Sequence, residues 1–234
     1  MFCRLLNIGN THILTAVLQE DGSIADCRVF DTPGFQPENL SGDCYAVVSV
    51  VPAWEDYYRK RGAFVLDWQS SEKVLSLSRM GTPWTVGADR IANGVALIAT
   101  GKTPALCIDC GTAVTFEYVD SFRYLCGGAI LPGRQLLRKS LHDYTAKLPL
   151  VPFMESVPEV PGKNTVDAIR IGVDLGSVGA VREILGEFRR REPELRVVFC
   201  GGDSEYFHSN FPETECYGSD FTLKGLAHAW ASCR

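Results

Sequence analysis

Along the first thirty positions apolar and polar residues alternate in three runs, 2–8, 11–19 and 23–30, with Asp21-Gly22 between the second and third. A period of two interrupted by turn residues predicts three neighbouring strands. After a loop at 32–42 that contains proline and glycine, 45–51 is continuously apolar and β-branched, the pattern of a strand covered on both faces. Residues 53–61 read as a helix. Residues 88–99 place Ile91, Val95, Ile98 and Ala99 on one helical face. The second half repeats the plan, with strands predicted at 105–109, 113–119, 124–130 and 196–199 and helices at 133–146, 165–189 and 222–232.

Three strands followed by alternating helix and strand, carried out twice, resembles the actin-like ATPase plan of sugar kinases, Hsp70 and actin. The expected fold class is therefore α/β: two similar actin-like ATPase (ribonuclease H-like) lobes, 1–103 and 104–234, with a nucleotide cleft between them. A chain of 234 residues with 46% hydrophobic content can fill the cores this requires.

Two short stretches at corresponding places of the halves carry the first chemistry. Asn7-Ile8-Gly9-Asn10-Thr11 and Asp109-Cys110-Gly111-Thr112 each end an apolar strand in a polar side chain, a spacer, a glycine and a hydroxyl. Glycine lets backbone N–H groups approach phosphate oxygens, and the threonines add hydroxyl donors. Asn7 and Asp109 stand at the strand ends, where an oxygen can face a metal ion or its water shell. Alone, Gly9-Asn10 is equally a hairpin turn; the matched pair favours a phosphate-bearing ligand held between the halves. Gly201-Gly202 after a strand suits close approach of backbone to a nucleotide, or simply a turn into a helix capped by Asp203 or Ser204.

Composition narrows the alternatives. A formal net charge of −5 with scattered Lys and Arg argues against a nucleic-acid surface, and the Arg189-Arg190-Arg191 run suits a solvated helix C-terminus. No run approaches the roughly 18 apolar residues of a membrane span, and the first residues lack the pattern of a signal peptide, so a cytoplasmic protein is expected. Nine cysteines, mostly within strand-like runs, suit buried thiols; Cys107 and Cys110 should face opposite sides of their strand. Gly101-Lys102-Thr103 resembles a P-loop tail but has Ala96 where the first glycine belongs, and no Gly-x-Gly-x-x-Gly follows a strand. The four histidines show no ligand spacing; His12 reads as an exposed strand residue.

In combination, Ile8-Gly-Asn-Thr11, Ser49-Val-Val-Pro52, Gly87-Ala-Asp-Arg-Ile-Ala-Asn93, Asp109-Cys-Gly-Thr-Ala113, Gly127-Gly-Ala-Ile-Leu-Pro-Gly133, Thr145-Ala-Lys-Leu-Pro149 and Lys163-Asn-Thr-Val-Asp-Ala168 resemble the type III pantothenate kinases. The resemblance implies phosphorylation of pantothenate by ATP with Mg²⁺, at the first step of coenzyme A biosynthesis. It implies that Asp89 is the general base, and that Gly87, Ala88 and Arg90 bind pantothenate together with position 80, here Met80. Arg90 would pair with the substrate carboxylate. Asn7, Gly9, Asn10, Thr11, Gly111, Thr112, Gly201 and Gly202 would contact ATP. Asp109 would hold a monovalent cation, K⁺ or NH₄⁺. Thr165 would reach the substrate from the partner subunit of a homodimer whose active site lies at the interface; on its own residues it reads as a helix N-cap.

Three positions depart from the family pattern. Asn7 stands where the family has aspartate, Leu14 where a lysine is usual, and Met80 where a tyrosine is common. An amide brings no charge to hold Mg²⁺ against phosphate. These departures keep a second reading open, a nucleotide-binding regulatory relative with weakened or no catalysis, and Met80 alone leaves room for a kinase of another small alcohol.

Overall fold

The computed structural model describes residues 2–153 and 157–234. The alternating runs become β1 (Cys3–Ile8), β2 (His12–Leu18) and β3 (Ile24–Asp31), an antiparallel meander. The continuous apolar run becomes β4 (Cys44–Ser49), which returns parallel to β1 and is extended by β5 (Phe64–Val65). Between these two lies α1 (Pro52–Arg59), and α2 (Ala88–Ala99) follows them. The second half gives β6 (Ala105–Cys110), β7 (Ala113–Val119), β8 (Leu125–Pro132), α3 (Arg134–Asp143), α4 (Thr165–Arg191), β9 (Arg196–Cys200), α5 (Ser204–His208), β10 (Glu215–Cys216) and α6 (Phe221–Ser232).

The two five-stranded sheets have the same order, β3-β2-β1-β4-β5 and β8-β7-β6-β9-β10, with the same parallel and antiparallel pairings. Even an irregularity repeats: the register shifts between Thr15 and Val17 in the first sheet and between Glu117 and Val119 in the second. This is a mixed α/β protein with two like sheets, as the doubled pattern predicted.

Side-chain period explains the layering. On β6, Ala105 and Cys107 face one side while Leu106, Ile108 and Cys110 face the other. The first side, with Leu5, Ala16 and Val48 of the other sheet, encloses α2 and α6 through Ile91, Val95 and Leu226. The outer face of the first sheet is covered by α1, with Tyr58 against Ile8, Ile13 and Val47. That of the second is covered by α4 and α5, with Val181 and Phe207 against Ile108 and Phe116. The result is five layers. The middle one is tight: a side chain at Gly225 of α6 would overlap the carbonyl of Ala92 on α2.

Most element ends lie within two residues of the pattern. The helix expected over 133–146 stops at Asp143, because the Thr145 hydroxyl donates to the Leu141 carbonyl (2.7 Å) and ends the turn. The long helix is capped by Asn164, whose side chain accepts from the Asp167 N–H, and not by Thr165, which is its first residue. Too short to show a period are β5, β10 and α5. Among the described residues no helix is long and apolar enough to cross a membrane.

Candidate active site

The two turns singled out by their sequence meet. Between β1 and β2, Gly9 donates its N–H to the His12 carbonyl (2.9 Å); between β6 and β7, Gly111 donates to the Ala113 carbonyl (2.9 Å). Their hydroxyls touch across the gap between the sheets, Thr11 Oγ1 to Thr112 Oγ1 at 3.1 Å, with both residues exposed. Asn10 is exposed beside them, and Asn7 is paired along β1 with Leu14 and Val48. The first turn of α3 is tied to the second of these loops, since Gly133 N–H donates to the Thr112 carbonyl (2.9 Å). That helix start brings unpaired N–H groups and the positive end of its dipole to the same place.

Beneath the second turn Asp109 is held by a relay through two helices. The Thr222 hydroxyl on α6 donates to Asn93 Oδ1 (2.8 Å), and Asn93 Nδ2 on α2 donates to Asp109 Oδ2 (2.9 Å). Because Thr222 occupies the amide oxygen, Asn93 can present only its NH₂ to the carboxylate. Among the described residues Asp109 Oδ1 accepts no hydrogen bond; it lies against Gly201, where any side chain would strike it and the Cys110 carbonyl. Gly201 also has φ +91°, a conformation glycine adopts without strain, so its close approach is to Asp109 itself. Gly202 beside it is exposed. Burial pushes the Asp109 carboxyl up to about 6, opposed by the Asn93 hydrogen bond and reinforced by the charge of Asp89.

Asp203, which with Ser204 is one of two cap candidates under the alternative turn reading, stands at the N-cap of α5 but makes no side-chain capping bond. Its carboxylate is taken by Arg134 Nε (2.7 Å) and Nη2, and Arg134 also reaches the buried Asp174 (3.0 Å). The Gly201-Gly202 turn is thus pinned to the start of α3.

Asp89 and Arg90 open α2 after Gly87. Asp89 Oδ1 accepts from the Arg90 backbone N–H (2.8 Å) and sits 2.6 Å from where a β-carbon on Gly87 would lie. Desolvation raises its pKa, against the pull of Arg90. The Arg90 side chain does not simply extend into the gap: Nε donates to Glu117 Oε1 (2.9 Å) and Nη2 to the Phe116 carbonyl (3.1 Å). Ala88 and Met80 are partly buried and packed on the central core. Thr165 is exposed at the head of α4.

Sequence reasoning missed Asn93, Thr222 and Glu117 as parts of this cluster. Glu117 carried the one readable signal, an acid in the strand run Val114-Thr-Phe-Glu-Tyr-Val119, where burial demands a partner. Elsewhere the readings stand: Cys107 and Cys110 face opposite cores, His12 is exposed beside Asp31 (3.6 Å), and the arginine run pairs with Glu187 and Glu213 at the surface. Among the described residues no three of His, Cys, Asp and Glu are grouped to hold a metal.

Comparisons with known proteins bear on this arrangement. Residues 5–187 match the model of the type III pantothenate kinase family. The chain is 33% identical to the type III pantothenate kinase of Rubrobacter xylanophilus, over 97% of this chain and 96% of that protein. It is 37% identical to that of Gloeobacter violaceus, over 67% of this chain and 70% of that one. Among solved structures it resembles a conserved Baf family protein from Campylobacter jejuni (TM-score 0.68, 18% identity, 97% of each chain). It also resembles the activator of 2-hydroxyisocaproyl-CoA dehydratase from Clostridium difficile with bound ADPNP (TM-score 0.51, 14% identity, 100% of this chain and 94% of that one). At these identities the structures speak for the fold alone, the two-lobed actin-like ATPase arrangement. The sequence matches say more: the chain belongs to the type III pantothenate kinase family.

Proposed function

We propose that the protein transfers the γ-phosphoryl group of ATP to the primary hydroxyl of pantothenate, giving 4′-phosphopantothenate at the entry to coenzyme A biosynthesis, in the cytoplasm. The observation that carries this is the meeting of the two glycine turns, Thr11 against Thr112, with Asp109 and Asp89 behind them. Hydroxyls and backbone N–H groups from both sheets converge where phosphates of one nucleotide can lie, with Gly9, Asn10, Gly111, Gly201 and Gly202 as the backbone of the cradle. The lobes divide at 103/104, with α6 returning from the second to pack between both sheets.

Asp89 is the base. With Oδ1 held by a backbone N–H, its Oδ2 accepts the hydroxyl proton while the substrate oxygen bonds to the γ-phosphorus and the bond to the ADP oxygen breaks. Its raised pKa is in the direction a general base needs. Gly87 and Ala88 line the substrate beside it, Arg90 receives the carboxylate, and Met80 gives that pocket an apolar wall. Asp109 fits a monovalent cation, K⁺ or NH₄⁺: a carboxylate with one oxygen anchored by Asn93 and the other without a donor among the described residues. When bound there, the cation would offset phosphate charge. When bound with ATP, Mg²⁺ would offset phosphate charge, and Asn7 at the first turn would offer it or its water shell an amide oxygen without charge.

A second copy of the chain completes the site through Thr165. Leu136, Leu150, Phe153, Val160, Val166 and Leu175 are all exposed on and around α3 and α4, apolar surface of the kind a partner covers. Sedimentation should give a dimer.

The test is ADP release with ATP, Mg²⁺ and pantothenate, in potassium and in sodium. Pantothenate-dependent turnover that potassium stimulates, and that Asp89→Asn lowers at least a thousandfold, is expected. Asn7 favours one other reading, a nucleotide-binding regulatory relative, and ATP binding without turnover by a folded dimer would select it.

A further inference from the structure

Glu117 has no solvent exposure, yet it carries a charge-bearing side chain in the middle of β7. It stands beside the register shift of the second sheet, across from Cys107 on β6 and Gly128 on β8, on the strand face that looks toward α2. A lone acid there would be strongly destabilising. What it meets is Arg90, whose Nε donates to Glu117 Oε1 at 2.9 Å. Among the described residues Glu117 Oε2 is buried without a hydrogen-bond partner, and the Thr115 hydroxyl lies near the carboxyl group.

The environment is shaped around the guanidinium. Arg90 is only 15% exposed, and its Nη2 donates to the Phe116 carbonyl (3.1 Å). A β-carbon on Gly128 would come within 3.0 Å of that same Nη2 and would overlap the Phe116 carbonyl. The second glycine of the Gly127-Gly128 pair is required first by the Phe116 carbonyl, the same oxygen that accepts from Nη2. A guanidinium has five N–H donors in a rigid plane. Two are spent on Glu117 and Phe116. Among the described residues Nη1 makes no hydrogen bond, so three donors remain, two on Nη1 and one on Nη2, and one from each nitrogen can form the parallel pair that matches a carboxylate.

We propose that Glu117 is a positioning residue that sets substrate specificity: it holds Nε of Arg90, so that the outer edge of the guanidinium is presented to the carboxylate of the acceptor alcohol. Because the carboxylate of Glu117 offsets the arginine's charge, recognition rests on the orientation of two donors and not on net positive charge. Acceptors bearing a carboxylate are then selected over their carboxamides, since a carboxamide places an NH₂ where a donor already points. This rests on the reading of Arg90 as the residue that receives the substrate carboxylate. Burial raises the Glu117 pKa to about 8 and the pull of Arg90 offsets this only in part, so the charged carboxylate depends on the contact with Nε.

The experiment compares Glu117→Gln, Arg90→Ala and the double variant for pantothenate and its primary carboxamide. KM and kcat are measured for each, with the calorimetric Kd of pantothenate in the presence of a non-hydrolysable ATP analogue as a readout independent of turnover. Glu117→Gln keeps the shape of the side chain and is expected to fold. It should raise KM and Kd for pantothenate about tenfold or more, change kcat less than about threefold, leave the KM for ATP in place, and lower the preference for acid over amide by a similar factor. In the Arg90→Ala background it should do nothing further, because its effect runs through the arginine. Glu117→Asp, shorter by one methylene but still charged, should fall between, and it serves should the glutamine variant not fold. If Arg90→Ala leaves pantothenate binding unchanged, the carboxylate reading of Arg90 fails and this inference with it. If Arg90→Ala weakens binding but Glu117→Gln does not, or if the two effects add, Arg90 keeps its role and the inference about Glu117 is overturned.

Discussion

The two glycine turns have the same parentage in the fold and very different surroundings. Each joins the first two strands of a five-stranded sheet of the same order, and each brings a threonine to the gap. The first is held from the end of β3 alone: Asn7 is neutral, Gly9 bonds the His12 carbonyl, and Thr32 donates its N–H to the Thr11 carbonyl (2.9 Å) and its hydroxyl to the Gly9 carbonyl (2.7 Å). The second is buttressed from three sides. Gly133 at the head of α3 bonds its Thr112 carbonyl, Asp203 donates its backbone N–H to the Cys110 carbonyl (2.9 Å), and Asp109 is held by Asn93 and Thr222. A repeated backbone, then, does not imply repeated chemistry. The anionic oxygen and the network that orients it occur on one side only.

The largest effect should come from erasing that asymmetry at its charge. Asp109→Asn is expected to lower turnover roughly a hundredfold or more and to abolish stimulation by potassium, read in the ADP-release assay. The same variant should change the pH dependence of stability. Folding raises the Asp109 pKa from 3.8 to about 6, so the folded state holds this proton more tightly than the unfolded one. The stabilisation is complete below the lower value and is lost as pH rises through the upper. Asparagine is neutral throughout, so thermal unfolding should show Asp109→Asn gaining on the parent by about 2 kcal/mol between pH 4 and pH 7.

Removing the support while keeping the charge should do less. Asn93→Ala leaves the buried Thr222 hydroxyl and one oxygen of the partly buried Asp109 without their partner, and a loss of about 1–3 kcal/mol in unfolding free energy is expected. Potassium activation should need more salt in this variant, measured as the half-activating concentration. Among the described residues the Asn7 side chain, at the equivalent depth under the first turn, makes no hydrogen bond of this kind to break.

The smallest effect should come from making the first turn resemble the second. Asn7→Asp adds a carboxylate at the paired strand end and should raise turnover about threefold at low Mg²⁺, with the gain vanishing at saturation. Equal rates at every magnesium concentration would show that the neutral amide is not what limits this turn.

Much of this was legible in the chain. The doubled order of strands, the helix at Ala88–Ala99 and the opposite facing of Cys107 and Cys110 follow from period alone, because alternation and 3.6-residue spacing are local properties. The glycine turns were legible because the same order of polar residue, spacer, glycine and hydroxyl closes a strand in each half. Where reading stopped short, the partner was far away in sequence. Asn93 lies 16 residues from Asp109 and 129 from Thr222, and Glu117 lies 27 from Arg90. Thr165 reads as a cap although Asn164 holds that place, since either side chain can bond the first N–H groups and only backbone geometry separates them.

Local pattern therefore accounts for the elements, their order and the residue types at each turn, all properties of neighbours along the chain. Which oxygen of Asp109 is held and which is left open, and which edge of Arg90 faces outward, depend on how two helices are pressed between two sheets. There, burial favours a partner for each polar group, and the partner is whichever one the packing brings within reach.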